Sequence, residues 1–265
     1  MARDGEMSLF NRLALRLKRS DSAFARFLKR AVYRFYSPTL PPLPRLLMPA
    51  LRFLYGFHFS VILVFRWILA VCYRNPLFQS KCASFGRGVY VGGLPFVTGP
   101  VEIHMGDGSG LAEDVSILSG RILDSRPQLV LKDHAGVGMN TIIVVNREVI
   151  IEEHVIISWD CRISDSDGHP READLRAAGK APEAKDIRPV RIGRYAWIGN
   201  GSYIMKGVTI GEGAIIGANS VVISNIPPYS LAMGNPAEVI LRNCGLPTTA
   251  RKKRPAPEAE PPQSE

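Results

Sequence analysis

The chain has 265 residues, 46% of them apolar, and a formal net charge of +9. That length allows one substantial domain with an appendage, and the apolar content suffices for a full core, so a chain too polar to fold is excluded. The four cysteines (Cys72, Cys82, Cys161 and Cys244) form neither a CxxC pair nor a metal-ligand spacing. They point to a reducing compartment with buried thiols, with an accidental pair left open.

The charge is unevenly placed. Residues 1–80 carry 13 Lys and Arg against 3 Asp and Glu, while the remainder sums to −1. Such a basic arm suits nucleic acid or an anionic membrane surface. Its Leu, Phe and Trp content decides for the membrane and against nucleic acid, with packing on the protein's own body as the alternative. No cleavable signal peptide is read at the start, because Arg12, Arg16, Lys18 and Arg19 break up the first apolar residues.

Residues 8–36 place Leu13, Leu17, Phe24, Phe27, Leu28 and Val32 at helical spacing between basic residues, which predicts an interfacial amphipathic helix. Pro38, Pro41, Pro42 and Pro44 end it. Next, Leu46–Phe78 is the most apolar stretch of the chain, and its window Leu54–Tyr73 matches the roughly 20 residues that cross a bilayer. It contains His58 and Arg66, however, and eleven basic residues precede it. A mid-helix arginine is costly in lipid, and the positive-inside rule would export everything that follows. The preferred reading is a helix or re-entrant hairpin dipping into the cytoplasmic leaflet of the inner membrane. A full span and a soluble helical packing domain are the alternatives. Residues 1–80 thus form a membrane-seeking helical region on an otherwise cytoplasmic protein.

From about residue 89 the texture changes to short β-branched runs punctuated by glycine. An aliphatic residue recurs every six positions through Ile192, Ile198, Ile204, Ile210, Ile216 and Val222. Four residues after each of the first five stands a small or β-branched one: Ala196, Ser202, Val208, Ala214 and Ser220. The ladder also runs through Leu131, Val137 and Ile143, then resumes at Val145, Ile151, Ile157 and Ile163 after a two-residue shift. Period six fits a short flat strand and a corner, with three strands closing a coil of about eighteen residues. Leu246–Glu265, rich in Pro, Glu, Lys and Arg, reads as a disordered tail.

With this ladder the chain resembles the hexapeptide-repeat acyltransferases, which are left-handed parallel β-helices, over about residues 89–242. The likeness is strongest over Val190–Arg242, which is similar to sugar O-acetyltransferases of the maltose, galactoside and polysaccharide type. It implies acetyl-CoA as acyl donor, a saccharide acceptor and a homotrimer with active sites in the grooves between subunits.

Between Ile163 and Ile192 the ladder stops, leaving a loop over residues 164–189 with a polar segment, Arg171–Lys180, able to form a short helix. Long loops on repetitive scaffolds carry function. Acyl transfer to a hydroxyl needs a base, and histidine titrates near neutrality. Gly168-His169-Pro170 looks like the family's catalytic-histidine segment, so His169 is the expected base. Asn140, eleven residues before Ile151, has the offset of an asparagine that the resemblance assigns to the oxyanion or the acceptor; a corner role in the β-helix is the alternative. Asp165 and Asp167 are read as orienting His169 or binding acceptor hydroxyls, or else as turn formers.

The resemblance places the donor along the last coils, with Trp197, Asn200, Ala218 and Asn219 near the pantetheine arm. Trp197 is also a candidate platform for the acceptor sugar. Met233-Gly234-Asn235-Pro236-Ala237 resembles the family's C-terminal signature, with Pro236 near the adenine, within a cap over residues 223–242. Ile223-Ser224 and Glu238 stand where relatives carry a Thr-Lys pair and basic residues, which passes the phosphate contacts to Arg242 or Lys206. The γ-type carbonic anhydrases share the fold and hold zinc through three histidines. Here His134 and His169 have a suggestive separation, but Asp174 stands where the third ligand belongs, so no metal is expected. The alternatives to acyl transfer are a non-catalytic trimeric scaffold and an anhydrase-like enzyme.

Overall fold

The computed structural model describes residues 20, 22–36, 43–120 and 126–244. The expected helix start at residues 8–19, the stop at Pro38, Pro41 and Pro42, and the tail Leu246–Glu265 lie outside them. The chain divides into two compact units, Met1–Ile62 and Leu63–Glu265.

In the first unit, helix α1 (Ala23–Tyr36) opens at Ser22, whose hydroxyl accepts a hydrogen bond from the Ala25 amide at 3.1 Å, satisfying one of the free donors of the first turn. Phe24 and Phe27 are exposed among Arg26, Lys29 and Arg30, as an interfacial helix requires. A second helical run, Arg45–Gln79, continues across the unit boundary for 35 residues. It comprises a 3₁₀ turn (Arg45–Leu47), α2 (Met48–Leu69), a π turn (Ala70–Arg74) and α3 (Asn75–Gln79). The run is helical throughout, which matches the helix and not the hairpin of the preferred reading. The π turn immediately precedes Pro76, whose missing N–H interrupts the helical ladder there. No side chain of α2 is buried.

Within the second unit the end of this run is tied to the first coils. Arg66 is ion-paired with Glu113, and the Arg74 guanidinium donates to the Gly92 carbonyl. Phe78 is fully buried, edge-on to Phe85 at 6.4 Å, and closes the end of the core.

Three sheets follow, forming the β-helix that the six-residue period predicts, left-handed as the resemblance implies. The first contains β1 (Cys82–Phe85), β4 (Glu102–Met105), β7 (Gln128–Leu131), β10 (Glu148–Ile151), β13 (Val190–Ile192) and β16 (Thr209–Ile210). The second contains β2 (Tyr90–Val91), β5 (Gly110–Leu111), β8 (Gly136–Val137), β11 (Ile156–Ile157), β14 (Trp197–Ile198) and β17 (Ile215–Ile216), followed by β19 (Ser230–Gly234) and β20 (Ala237–Arg242). The third contains β3 (Phe96–Thr98), β6 (Ser116–Leu118), β9 (Ile142–Val144), β12 (Arg162–Ser164), β15 (Tyr203–Ile204) and β18 (Val221–Val222).

The ladder residues stack directly: Ile192 pairs in register with Ile210, Ile198 with Ile216 and Ile204 with Val222, all of them buried. The small residues sit buried at the corners, where the Ser202 and Ser220 hydroxyls both donate to the Gly217 carbonyl, at 3.0 and 2.7 Å. Earlier coils pair Leu131 with Ile151, Val137 with Ile157 and Ile143 with Ile163. Each of these steps is two residues longer than in the later coils, which accounts for the shift seen in the sequence. The added residues widen the corner after β9, where Val145 stays buried. The first strand begins at Cys82, ahead of the expected start at 89, because the early coils point Val91, Val97 and Ile103 inward without the Ile-Gly pairs that mark the later ones. At the far end β19 adds parallel to β17 and β20 returns antiparallel to it, so the expected cap is a hairpin extending the second sheet.

Corner packing makes a testable distinction between two glycines. A Cβ at Gly199 would lie 2.7 Å from both the Ala218 nitrogen and the Ile216 oxygen, whereas one at Gly136 would meet nothing within 4 Å. Gly199→Ala is expected to destabilise the protein by about 1–3 kcal/mol through overpacking against backbone. Gly136→Ala is expected to stay within about 0.5 kcal/mol of the parent. Denaturant midpoints check this, and equal shifts would contradict the coil geometry.

Candidate active site

The loop leaves the third sheet after β12 and returns at β13, as the interrupted ladder predicts. Its first residue holds the break together. Asp165 is fully buried, and its carboxylate accepts from the Asn146 amide at 2.9 Å, the Arg147 amide at 2.6 Å and the Glu148 amide at 3.0 Å. Burial pushes the Asp165 carboxyl above the usual carboxylate range, against the pull of the Arg147, Asn146 and Glu148 amides. Its backbone carbonyl accepts from Arg188 at 2.9 Å, so the same residue ties down the returning chain. Asp165 thus has no face left for an acceptor hydroxyl. The expectation that it binds substrate is corrected: it anchors the loop.

Beyond the anchor, Gly168 takes a positive φ of 79° and its amide donates to the Ser166 hydroxyl at 3.1 Å. A short helix α4 (Ala173–Ala177) follows inside the expected segment, and Arg176 of α4 donates back to the Pro170 carbonyl at 3.1 Å. This turn leaves His169 exposed on the wall of a cavity of about 500 Å³. Its other walls include Leu118, Val144, Asn146, Arg162, Arg176 and Lys180. Asp167 does not orient His169. It pairs at 2.6 Å with the buried ammonium of Lys206, which removes Asp167 from the expected catalytic set and Lys206 from the expected phosphate contacts.

The asparagine in this cavity is Asn146, which the sequence reading missed. Its Oδ1 accepts from the Gly120 amide at 2.6 Å, which fixes the orientation of the amide. The Nδ2 group makes no hydrogen bond to any described residue. The signal was the two-residue shift between Ile143 and Val145, since the extra residues at that corner include Asn146.

Asn140 stands elsewhere, between the second and third sheets. It holds a positive φ of 56° in a column with Asp114, Asp160, Gly201 and Asn219, all of positive φ. Its amide donates to Asp160 at 2.5 Å. Within one chain Asn140 and His169 are not brought together, and the Asn140 side chain makes a corner contact. His134 lies on a third edge, stacked on His154 at 4.9 Å, and His154 stacks on Tyr195 at 5.1 Å. Among the described residues no group of three or more His, Cys, Asp or Glu is arranged to hold a metal ion.

Of the expected donor residues, Trp197, Asn200, Ala218 and Asn219 lie near one another, while Arg242 pairs with Ser230 at the opposite end of the hairpin from Pro236. Trp197 lies on β14, with Asn200, Ala218 and Asn219 at the corners after β14 and β17, and the Asn219 amide donates to the Asn200 carbonyl at 2.7 Å. Pro236 and Arg242, both exposed, sit on the hairpin that continues the same sheet. The Trp197 ring is half exposed and its Nε1 donates to Ser158 at 3.1 Å. Within one chain Trp197 does not line the cavity of His169.

Residues 189–224 match the family profile described as bacterial transferase hexapeptide, six repeats. Polysialic acid O-acetyltransferase of Escherichia coli O1:K1 is 43% identical over 114 residues, covering 40% of this chain and 36% of that protein. Nodulation protein L of Rhizobium meliloti strain 1021 is 41% identical over 106 residues, covering 40% of this chain and 55% of that protein. The chain thus spans about a third to just over half the length of these curated relatives. Among solved structures, AntD, an N-acyltransferase from Bacillus cereus in complex with dTDP and 3-hydroxybutyryl-CoA, aligns with a TM-score of 0.50 at 17% identity, covering 63% of this chain and 87% of that one. At that identity the likeness shows the fold alone.

Proposed function

We propose that this chain, which carries a hexapeptide-repeat transferase domain, is an acyl-CoA-dependent O-acyltransferase that moves an acetyl group to a hydroxyl of a sugar in a glycan. The observation that carries the reading is His169, exposed on a cavity wall at the head of a loop that Asp165 anchors. The likeness to a polysialic acid O-acetyltransferase and the match over residues 189–224 support the transferase class.

Acetyl-CoA supplies an acyl group activated as a thioester. His169 takes the proton from the acceptor hydroxyl as its oxygen bonds to the acyl carbon, and returns that proton to the sulfur as the carbon–sulfur bond breaks. Asn146, which lines the same cavity, is the candidate to meet charge gathering on the acyl oxygen. The donor edge of Trp197, Asn200, Ala218, Asn219, Pro236 and Arg242 belongs to the second sheet, whereas His169 leaves the third. The expected homotrimer supplies the missing geometry by setting the His169 edge of one copy against the donor edge of the next.

His169→Ala is expected to lower the rate of acetyl transfer to a saccharide by about 10²–10⁴-fold, with the oligomer and acetyl-CoA binding retained. Unchanged transfer would remove the base assignment, and a protein that binds no acetyl-CoA would favour a non-catalytic scaffold.

The same proposal includes peripheral attachment to the cytoplasmic face of the inner membrane. The run Arg45–Gln79 has a mean hydropathy of 1.8 and is long and apolar enough to cross a bilayer. Between Arg52 and Arg66, however, only 13 residues carry no formal charge. At about 1.5 Å each they reach about 20 Å, short of the roughly 30 Å hydrocarbon core. The Arg66–Glu113 pair also binds the end of this stretch to the coils. Partial insertion follows. Full-length protein is expected to co-sediment with anionic vesicles, and the double change Phe57→Glu, Leu63→Glu is expected to release it. Retention of the doubly substituted protein would contradict the attachment.

A further inference from the structure

The cavity beside His169 has a charge character that acyl transfer alone does not require. Arg162, Arg176 and Lys180 line it together with His169, and no described lining residue is acidic. None of these three cations has a carboxylate partner among the described residues. Elsewhere on the same coils several cations are matched: Lys132 and Arg191 pair with Glu152, Arg194 with Glu153 and Lys206 with Asp167.

Both arginines are held in place without being neutralised. The Arg162 guanidinium lies over the Tyr203 ring, 5.5 Å from its centroid. Arg176 is fixed by one nitrogen, Nη1, which donates to the Pro170 and Arg171 carbonyls. Its Nε and Nη2 make no hydrogen bond to a described residue. Unpaired guanidinium groups fixed this way are suited to bidentate recognition of an oxyanion. Beside them, Leu118 and Val144 offer apolar wall for a sugar ring, and Asn146 offers an amide.

Resting on the acyltransferase reading above, we infer that the acceptor is an anionic sugar, whose carboxylate or phosphate is held by Arg162, Arg176 and Lys180 while a hydroxyl faces His169. The negative group orients the ring, and the unmatched cations disfavour neutral glycans. Coenzyme A also carries phosphates, but in the trimer proposed above its thiol end reaches His169, while the adenine end is expected at Pro236 on the hairpin of the second sheet.

Calorimetry without turnover tests the assignment. The probes are a hexuronate oligosaccharide, its carboxyl-reduced form, a phosphorylated neutral oligosaccharide and CoA. One anionic saccharide is expected to bind at least about tenfold more tightly than the neutral form, with the preference weakening as salt is raised. Tight binding of the hexuronate identifies a carboxylate, and of the phosphorylated sugar a phosphate. Arg162→Gln with Lys180→Gln is expected to erase the preference while leaving CoA affinity unchanged, which also shows that the variant is folded. Equal binding of all three saccharides, no saccharide binding, or loss of CoA in place of saccharide affinity would overturn the inference. Anion preference that persists alongside failure of transfer would remove the acyltransferase reading alone.

Discussion

The structure depends on one constraint: inward aliphatic side chains must stack in register from coil to coil. Most of its later strands are only two residues long, and a pair of residues holds no strand by itself. What holds Ile198 against Ile216 and Ile204 against Val222 is burial in a continuous column, together with the parallel pairing that the column enforces. The corners obey the same rule. Residues such as Asp160 and Asn219 adopt positive φ so that the chain turns without spreading the coils. Gly199 is required because coils this close leave no room for a Cβ.

That constraint also determines where chemistry can stand. A regular coil presents short strands and tight corners, with little relief to enclose a ligand. The excursion between β12 and β13 supplies the relief, and Asp165 supplies the means of breaking the coil without unpicking it. Its carboxylate occupies the amides of Asn146, Arg147 and Glu148 at the corner of the preceding coil. Buried amides left unpaired there would each cost about 1–3 kcal/mol. Lys206 and Asp167 fasten the next step of the loop. His169 thereby reaches a cavity wall from a rigid base.

Much of this was legible in the sequence. The period of six gave the later coils, the stop at Ile163 gave the loop, and the polar segment gave α4, because each of these is written in local spacing. The early coils were less visible, since the steps from Val91 to Leu111 and from Val97 to Ile117 are longer than in the later coils and the repeated Ile-Gly pairs are missing there. Individual site residues were harder still. Asp165, Asp167 and Lys206 all looked available for ligand, yet their partners are backbone amides or each other, contacts made across coils that spacing along the chain does not report. Asn140 had the expected offset along the chain, yet within one chain it stands on a different edge of the prism from His169. Asn146 and the cluster of Arg162, Arg176 and Lys180 were passed over because they approach one another only after the loop has folded back.

The central claim is that acyl transfer takes place where the edge carrying His169 meets the donor edge. A crystal structure with bound CoA tests it most directly. The account predicts the CoA sulfur within a few ångströms of the His169 imidazole, with the pantetheine arm running along Trp197, Asn200 and Ala218 of a neighbouring copy. CoA bound away from His169, or the same CoA enclosed by one chain alone without that histidine, would contradict it.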